Sequence, residues 1–151
     1  MKNLFHLLLL FSCLCSAQIE YKDISVLYIA SGRIGDRFTV EFEAGKDSVL
    51  VYKTTERTGS AIRENKPKKK EVNSFKIGIT AYESFISEVD NTFRLETKED
   101  KEDCFHSNLL IIKFSRNGKA ETLSLACIES DLNPWRLKLF KKFLKIINEK
   151  D

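Results

Sequence analysis

The chain has 151 residues, with 25 Lys and Arg against 22 Asp and Glu, a formal net charge of +3, 42% hydrophobic residues and 31% charged residues. This is the composition of one globular domain, and it excludes a long disordered chain, a polytopic membrane protein and a multidomain enzyme. Composition names no activity, so function has to be sought in motifs and their placement.

Residues 1–17 have the layout of a secretory signal peptide. Met1-Lys2-Asn3 is a short positive start, Leu4 to Leu14 is an almost unbroken apolar run, and Cys15-Ser16-Ala17 supplies small residues for cleavage before Gln18. The run is too short to serve as a permanent membrane-spanning helix. The alternative is a lipoprotein signal in which Leu10-Phe11-Ser12-Cys13 places a lipid on Cys13. Cys13 comes early for such a site and Phe11 is bulky there, which favours plain cleavage after Ala17. Export to the periplasm or beyond is the expectation, with a single domain over residues 18–151.

Cleavage removes Cys13, Cys15, His6 and Lys2 and leaves two cysteines, Cys104 and Cys127, and one histidine, His106. An even pair in an oxidising compartment points to a disulfide between Cys104 and Cys127. In a loop of this size it would stabilise by about 3 kcal/mol. The nearly neutral mature chain is not a nucleic-acid binder by charge.

Ile24 to Ile29 reads as a strand that stops at Ser31-Gly32. Arg33 to Asp36 is a glycine-bounded turn, and Phe38 to Glu43 alternates apolar and polar residues as a half-buried strand does. Ala44 to Asp47 is a turn, and Ser48 to Lys53 is the return strand, which makes an antiparallel meander with one wet side. Residues 54–73 lack apolar periodicity and contain Gly59, Pro67 and a run of lysines. They read as a long exposed basic loop, or as a strand pair extending beyond the core. Phe75 to Ile79 reads as a short strand or as the chain returning to the core.

Thr80 and Glu83 have the spacing of a capping box at a helix start. Tyr82, Phe85, Ile86, Val89 and Phe93 then form a stripe along one helix face, which is core rather than a ligand groove. Glu96 to Asp103 is a solvated acidic loop without the spacing of a calcium-binding loop. Leu109 to Phe114 is a strand apolar enough to be covered on both faces. Asn117-Gly118 is a two-residue hairpin turn, with Glu121 to Ile128 as the partner strand. Centring the hairpin on that turn sets Cys127 opposite Asn108.

The last element is a helix with Asn133 as N-cap and Pro134 at its first position. Trp135, Leu139, Phe140, Phe143, Leu144, Ile146 and Ile147 cover more than half of its circumference, and Lys138, Lys141, Lys142 and Lys145 fill the rest. It is expected to lie across the sheet; a basic helix resting on an anionic membrane is the alternative. The order β-β-β-loop-α-β-β-α predicts an α+β domain, one antiparallel sheet of about five strands covered on one face by two helices.

Catalytic signatures are missing from the sequence: no H-E-x-x-H, no G-x-S-x-G, no S-x-x-K, and no C-x-x-C after cleavage. Ser31 to Gly35 stands between strands, so its glycines serve a turn and not a phosphate loop. No catalytic residue, metal site or cofactor is expected. Two surfaces are candidates for binding an unknown protein or the envelope surface. One is the basic segment with Arg63, Lys66, Lys68, Lys69 and Lys70, and the other is the turn carrying Arg33 and Arg37. Membrane contact requires lipidation of Cys13 or exposure of the 134–149 helix. The expected function is a small exported, non-catalytic binding domain of the bacterial envelope. The alternatives are an inhibitor or immunity-type protein that blocks a partner enzyme, and a hydrolase of unrecognised type. The element order alone resembles that of small bacterial peptidase inhibitors, which implies a blocking function without assigning it to any residue.

Overall fold

The computed structural model describes residues 20–30, 37–57, 69–96, 108–130 and 133–148. They form β1 (Tyr21–Ile29), β2 (Arg37–Ala44), β3 (Ser48–Arg57), β4 (Lys69–Gly78), α1 (Ile79–Glu96), β5 (Leu109–Arg116), β6 (Lys119–Leu125) and α2 (Pro134–Asn148). The strands make one antiparallel sheet in the order β4-β3-β2-β1-β5-β6. The first four strands follow one another as a meander, and α1 then carries the chain back across the sheet to β5, on the far side of β1. This is the expected α+β architecture, with six strands in place of about five.

Of the two readings of residues 54–73, a long loop or a strand pair extending beyond the core, the described part takes the second. β3 runs on to Arg57 and β4 begins at Lys69, with ten paired positions from Ser48↔Gly78 to Arg57↔Lys69. Val49, Val51, Phe75 and Ile77 pack against the core, but the same face continues with Lys53 opposite Asn73 and Thr55 opposite Glu71. The outer half of this hairpin is therefore polar on the helix-side face, and the opposite face carries a single apolar residue there, Val72. Strand pairing there rests on the backbone ladder and leaves no hydrophobic alternation to read. Lys53 stays on the sheet by setting its ammonium 4.8 Å from the centre of the Phe38 ring.

Alternation is interrupted once in β1. The β1–β5 register shifts between Lys22 and Ser25, and Asp23 takes a positive φ of 52°. This is a β-bulge, and it lets Tyr21 as well as Ile24 and Val26 face the core. At the β5–β6 turn Asn117 and Gly118 both have positive φ (50° and 78°), the requirement of a type I′ hairpin. The register Leu110↔Leu125 to Arg116↔Lys119 is the one that turn predicts. β6 ends at Leu125 rather than Ile128, because Cys127 turns left-handed (φ 53°) and the chain bends towards α2.

Both helices lie on the same face of the sheet. Phe42 of β2 meets Tyr82 and Phe85 of α1, and Phe114 of β5 meets Phe93. Tyr28 of β1 stacks on Phe140 of α2, and Phe38 of β2 on Phe143. Phe85 and Phe143 join the two helices with ring centres 6.2 Å apart. The helices therefore run crosswise over the strands, and α2 takes the position of sheet cover. α1 begins at Ile79, directly after Gly78, so Thr80 lies inside the first turn and not at its cap. At α2 the backbone carbonyl of Asn133 accepts from the N–H groups of Arg136 and Leu137, as an N-cap residue does.

Phe143 is fully buried where sheet and both helices meet. Phe143→Ala should lower the unfolding free energy by about 3–5 kcal/mol in urea denaturation. A loss below about 1 kcal/mol would contradict this packing.

Candidate functional site

The face of the sheet opposite the helices carries its own apolar set. Ser25, Leu27 and Ile29 of β1 and Leu109, Ile111 and Lys113 of β5 point there by alternation from the buried Val26, Leu110 and Ile112. Leu27 pairs with Ile111, and Ile29 with Leu109. All four are half-buried. The middle row of this face reads Ser124, Ile111, Leu27, Thr39, Thr54, Val72 across six strands. Val72 is the large hydrophobic residue left most open among those described, at 60%. β5 was expected to be covered on both faces; instead the helices cover one, and Leu109 and Ile111 belong to the other. The unbroken apolar runs Ile24 to Ile29 and Leu109 to Ile112 are the sequence signal for this surface, since alternate residues in them must face away from the helices.

Charged rows border the apolar one. On one side Lys113, Ser25, Glu41 and Tyr52 align, and on the other Arg37, Glu56 and Lys70 align behind Ile29 and Leu109. Two of the basic residues singled out by sequence, Arg37 and Lys70, are thus brought into one row with Glu56 between them. Both are exposed, and neither forms an ion pair with a described residue. Lys69 opens β4 opposite Arg57. Arg33, Arg63, Lys66 and Lys68 lie outside the described residues. So does Cys104, while Cys127 is disulfide-bonded and buried.

On the helix side the charged groups are committed to one another. Burial would raise the Glu88 carboxyl, but hydrogen bonds and charge from Lys138, with Asn91 and Lys142, outweigh it and hold the group below the ordinary carboxylate range. Lys138 Nζ is 2.9 Å and Lys142 Nζ 3.4 Å from Glu88 Oε2, and Lys142 also donates to the Ser84 carbonyl and hydroxyl. These contacts tie α1 to α2. Near the bulge, Tyr21 donates its hydroxyl to Asp90, which also receives Arg94 at 2.8 Å and Arg116 at 3.4 Å. Burial would raise Asp90 too, and Tyr21, Arg94 and Arg116 together hold it low. Tyr21 in turn is pushed up to about 12, first by burial and then by the Asp90 hydrogen bond.

A third group closes the helix layer. Arg136 of α2 makes a two-pronged pair with Glu96 at the end of α1, Nε to Oε1 at 2.5 Å and one terminal nitrogen to Oε2 at 2.8 Å. Its other nitrogen donates to the Ala126 carbonyl just beyond β6 at 3.1 Å, and Trp135 Nε1 donates to Glu96 Oε1 at 2.8 Å.

An open cleft of about 490 Å³ is lined by Ser87, Glu88, Asp90, Asn91, Arg94 and Lys138. Its two carboxylates are both held ionised by cations, which is opposite to the raised pKa that a general acid needs. Among the described residues no three His, Cys, Asp or Glu side chains gather as a metal site would require. No helix among them is long and apolar enough to cross a membrane. The extended arrangement of apolar and charged rows suits contact with a broad surface rather than enclosure of a small molecule. No family model matches the chain, and neither the curated proteins nor the solved structures contain a match.

The titrations set the pH range of stability. Glu88 and Asp90 are depressed from 4.5 and 3.8, so their contribution is present above those values and is lost as the pH falls through the lower folded ones. Tyr21 is raised from 10.0, so its contribution is present below 10.0 and is lost as the pH rises through about 12. Unfolding free energy should thus hold steady near neutral pH and fall at both ends. Glu88→Gln should flatten the acid limb, and ultraviolet titration of Tyr21→Phe should lack the last tyrosine to ionise. An unchanged acid limb in Glu88→Gln would contradict the assignment.

Proposed function

We propose that this chain is a small exported, non-catalytic binding domain of the bacterial envelope whose contact surface is the open face of the sheet. The observation that carries the reading is the cross-strand aliphatic group Leu27, Ile29, Leu109 and Ile111, which lies on the face that no helix among the described residues covers and is bordered by Arg37, Glu41, Glu56, Lys70 and Lys113. An antiparallel sheet with one wet face ordinarily alternates to polar residues there, and an apolar row with a charged rim is the pattern of a protein contact. The leader-like sequence pattern of residues 1–17 supports export. The ionised carboxylates of the helix-side cleft support a role without acid–base chemistry.

The apolar face of α2 is used up within the fold. Leu139, Phe140, Phe143, Ile146 and Ile147 are buried against the sheet and α1, which argues for a protein contact rather than a membrane contact through this helix.

Site-specific photo-cross-linking in the producing cell tests this reading. A photoreactive residue at Thr39, in the middle of the open face, should give discrete adducts. The same residue at Lys141, exposed on α2, should give none. Adducts from position 141 and none from position 39 would contradict the reading. A stable one-to-one adduct with an enzyme that loses activity on binding would identify the blocking role.

A further inference from the structure

We infer that the open face of the sheet pairs with a second copy of the same chain. The inference rests on the reading of that face as the contact surface and names its occupant.

Size comes first. Six strands about 4.8 Å apart and about eight residues long at roughly 3.4 Å each make a face of about 29 by 27 Å, near the roughly 800 Å² per partner of a standard stable interface.

Pattern comes second. A symmetric pair of facing sheets requires a two-fold axis lying between them, so that a residue on the axis meets its own image and any other pair of contacts occurs twice, with the roles exchanged. Let the axis run across the strands along the row Ile111, Leu27, Thr39, Thr54, Val72. Each residue of that row then meets its own copy, and the two bordering rows exchange. Arg37 falls against the partner's Glu41, and Glu41 against the partner's Arg37, because both stand two residues from Thr39 on β2. Lys113 falls against the partner's Leu109, Glu56 against the partner's Tyr52, and Lys70 against the partner's Ser74. No two like charges among these described residues are brought together. An axis along the strands through the centre of the sheet would instead set Glu56 on the partner's Leu109 and Arg37 on the partner's Ile29. Both axes set some polar groups on aliphatic ones, since the first also places Ser25 on the partner's Ile29, but only the first forms two reciprocal Arg37–Glu41 pairs, on either side of the central row Ile111, Leu27, Thr39, Thr54 and Val72. Sheet twist rotates the facing strands by about 30°, which concentrates contact near the axis, where Leu27 and Thr39 stand.

Sedimentation equilibrium of the secreted protein tests this. The native chain should approach the mass of two chains with rising micromolar concentration, and Leu27→Glu should stay at the mass of one. Arg37→Glu and Glu41→Arg should each weaken association about tenfold, and the double variant should recover it. These two residues are exposed, so folding should be preserved in all three, checked by their urea transitions. A native chain that stays monomeric overturns the inference, as does a dimer that ignores Leu27→Glu or a double variant no tighter than the single ones. The photo-cross-linking separates this failure from failure of the binding reading: adducts from position 39 with a different protein would retain the open face as a contact surface and exclude self-pairing.

Discussion

A six-stranded sheet needs a helix layer on any face that is to stay dry, and the described residues supply one such layer. α1 and α2, with 18 and 15 residues, reach about 27 and 22 Å, enough to lie crosswise over the strands on a single side. The wide apolar face of α2 follows from this duty. It must contact β1 and β2 through Phe140 and Phe143 and also α1 through Phe143, so a narrow stripe would leave strands uncovered. Everything on the other face follows from the same limit. Apolar residues placed there by strand alternation have no cover within the described fold, and they define the surface on which function is proposed.

The buried charges fix how the helix layer sits. Arg136 joins the end of α1, the start of α2 and the backbone beyond β6 in one contact set, and Glu88 receives two lysines of α2. Buried pairs of this kind add little net stability, because desolvation offsets much of their attraction, but a misplaced helix would leave an uncompensated charge. Their contribution lies in selecting one helix arrangement over others that would bury similar apolar area. The same reasoning accounts for the lowered Glu88 and Asp90 carboxyls. They report structural pairing, and the cleft beside them is the surface of that network.

Much of the fold was legible in the sequence where one principle acted alone. The Asn117-Gly118 turn set the register of β5 and β6, and Asn133-Pro134 set the start of α2. The meander β1–β2–β3 was visible from alternation and turn residues. Legibility failed where tertiary pairing replaced local pattern. The outer half of the β3–β4 hairpin has Val72 as its one apolar residue among those described, so its ladder left no periodicity, and the sequence could not choose between a loop and a strand pair there. The bulge at Asp23 reverses the facing of Tyr21, which no count of alternate residues from Val26 anticipates. Glu96 and Arg136, forty residues apart, meet because two helices cross, and neither residue stands out in sequence. The candidate surface was half legible. Arg37 and Lys70 were chosen for charge, but Leu109 and Ile111 were assigned to a doubly covered strand and Leu27 and Ile29 were not singled out, because an apolar run does not say which of its faces finds a neighbour.

The account turns on the difference between the two faces of one sheet. It is tested most directly by methyl NMR of a dilute sample with a soluble paramagnetic relaxation agent. The methyl signals of Leu27, Ile29, Leu109 and Ile111 should broaden strongly, while those of Val26, Val40, Leu110 and Ile112, on the same strands but under the helices, should stay sharp. Equal protection of the two sets would contradict an open face and remove the surface on which the proposed function rests.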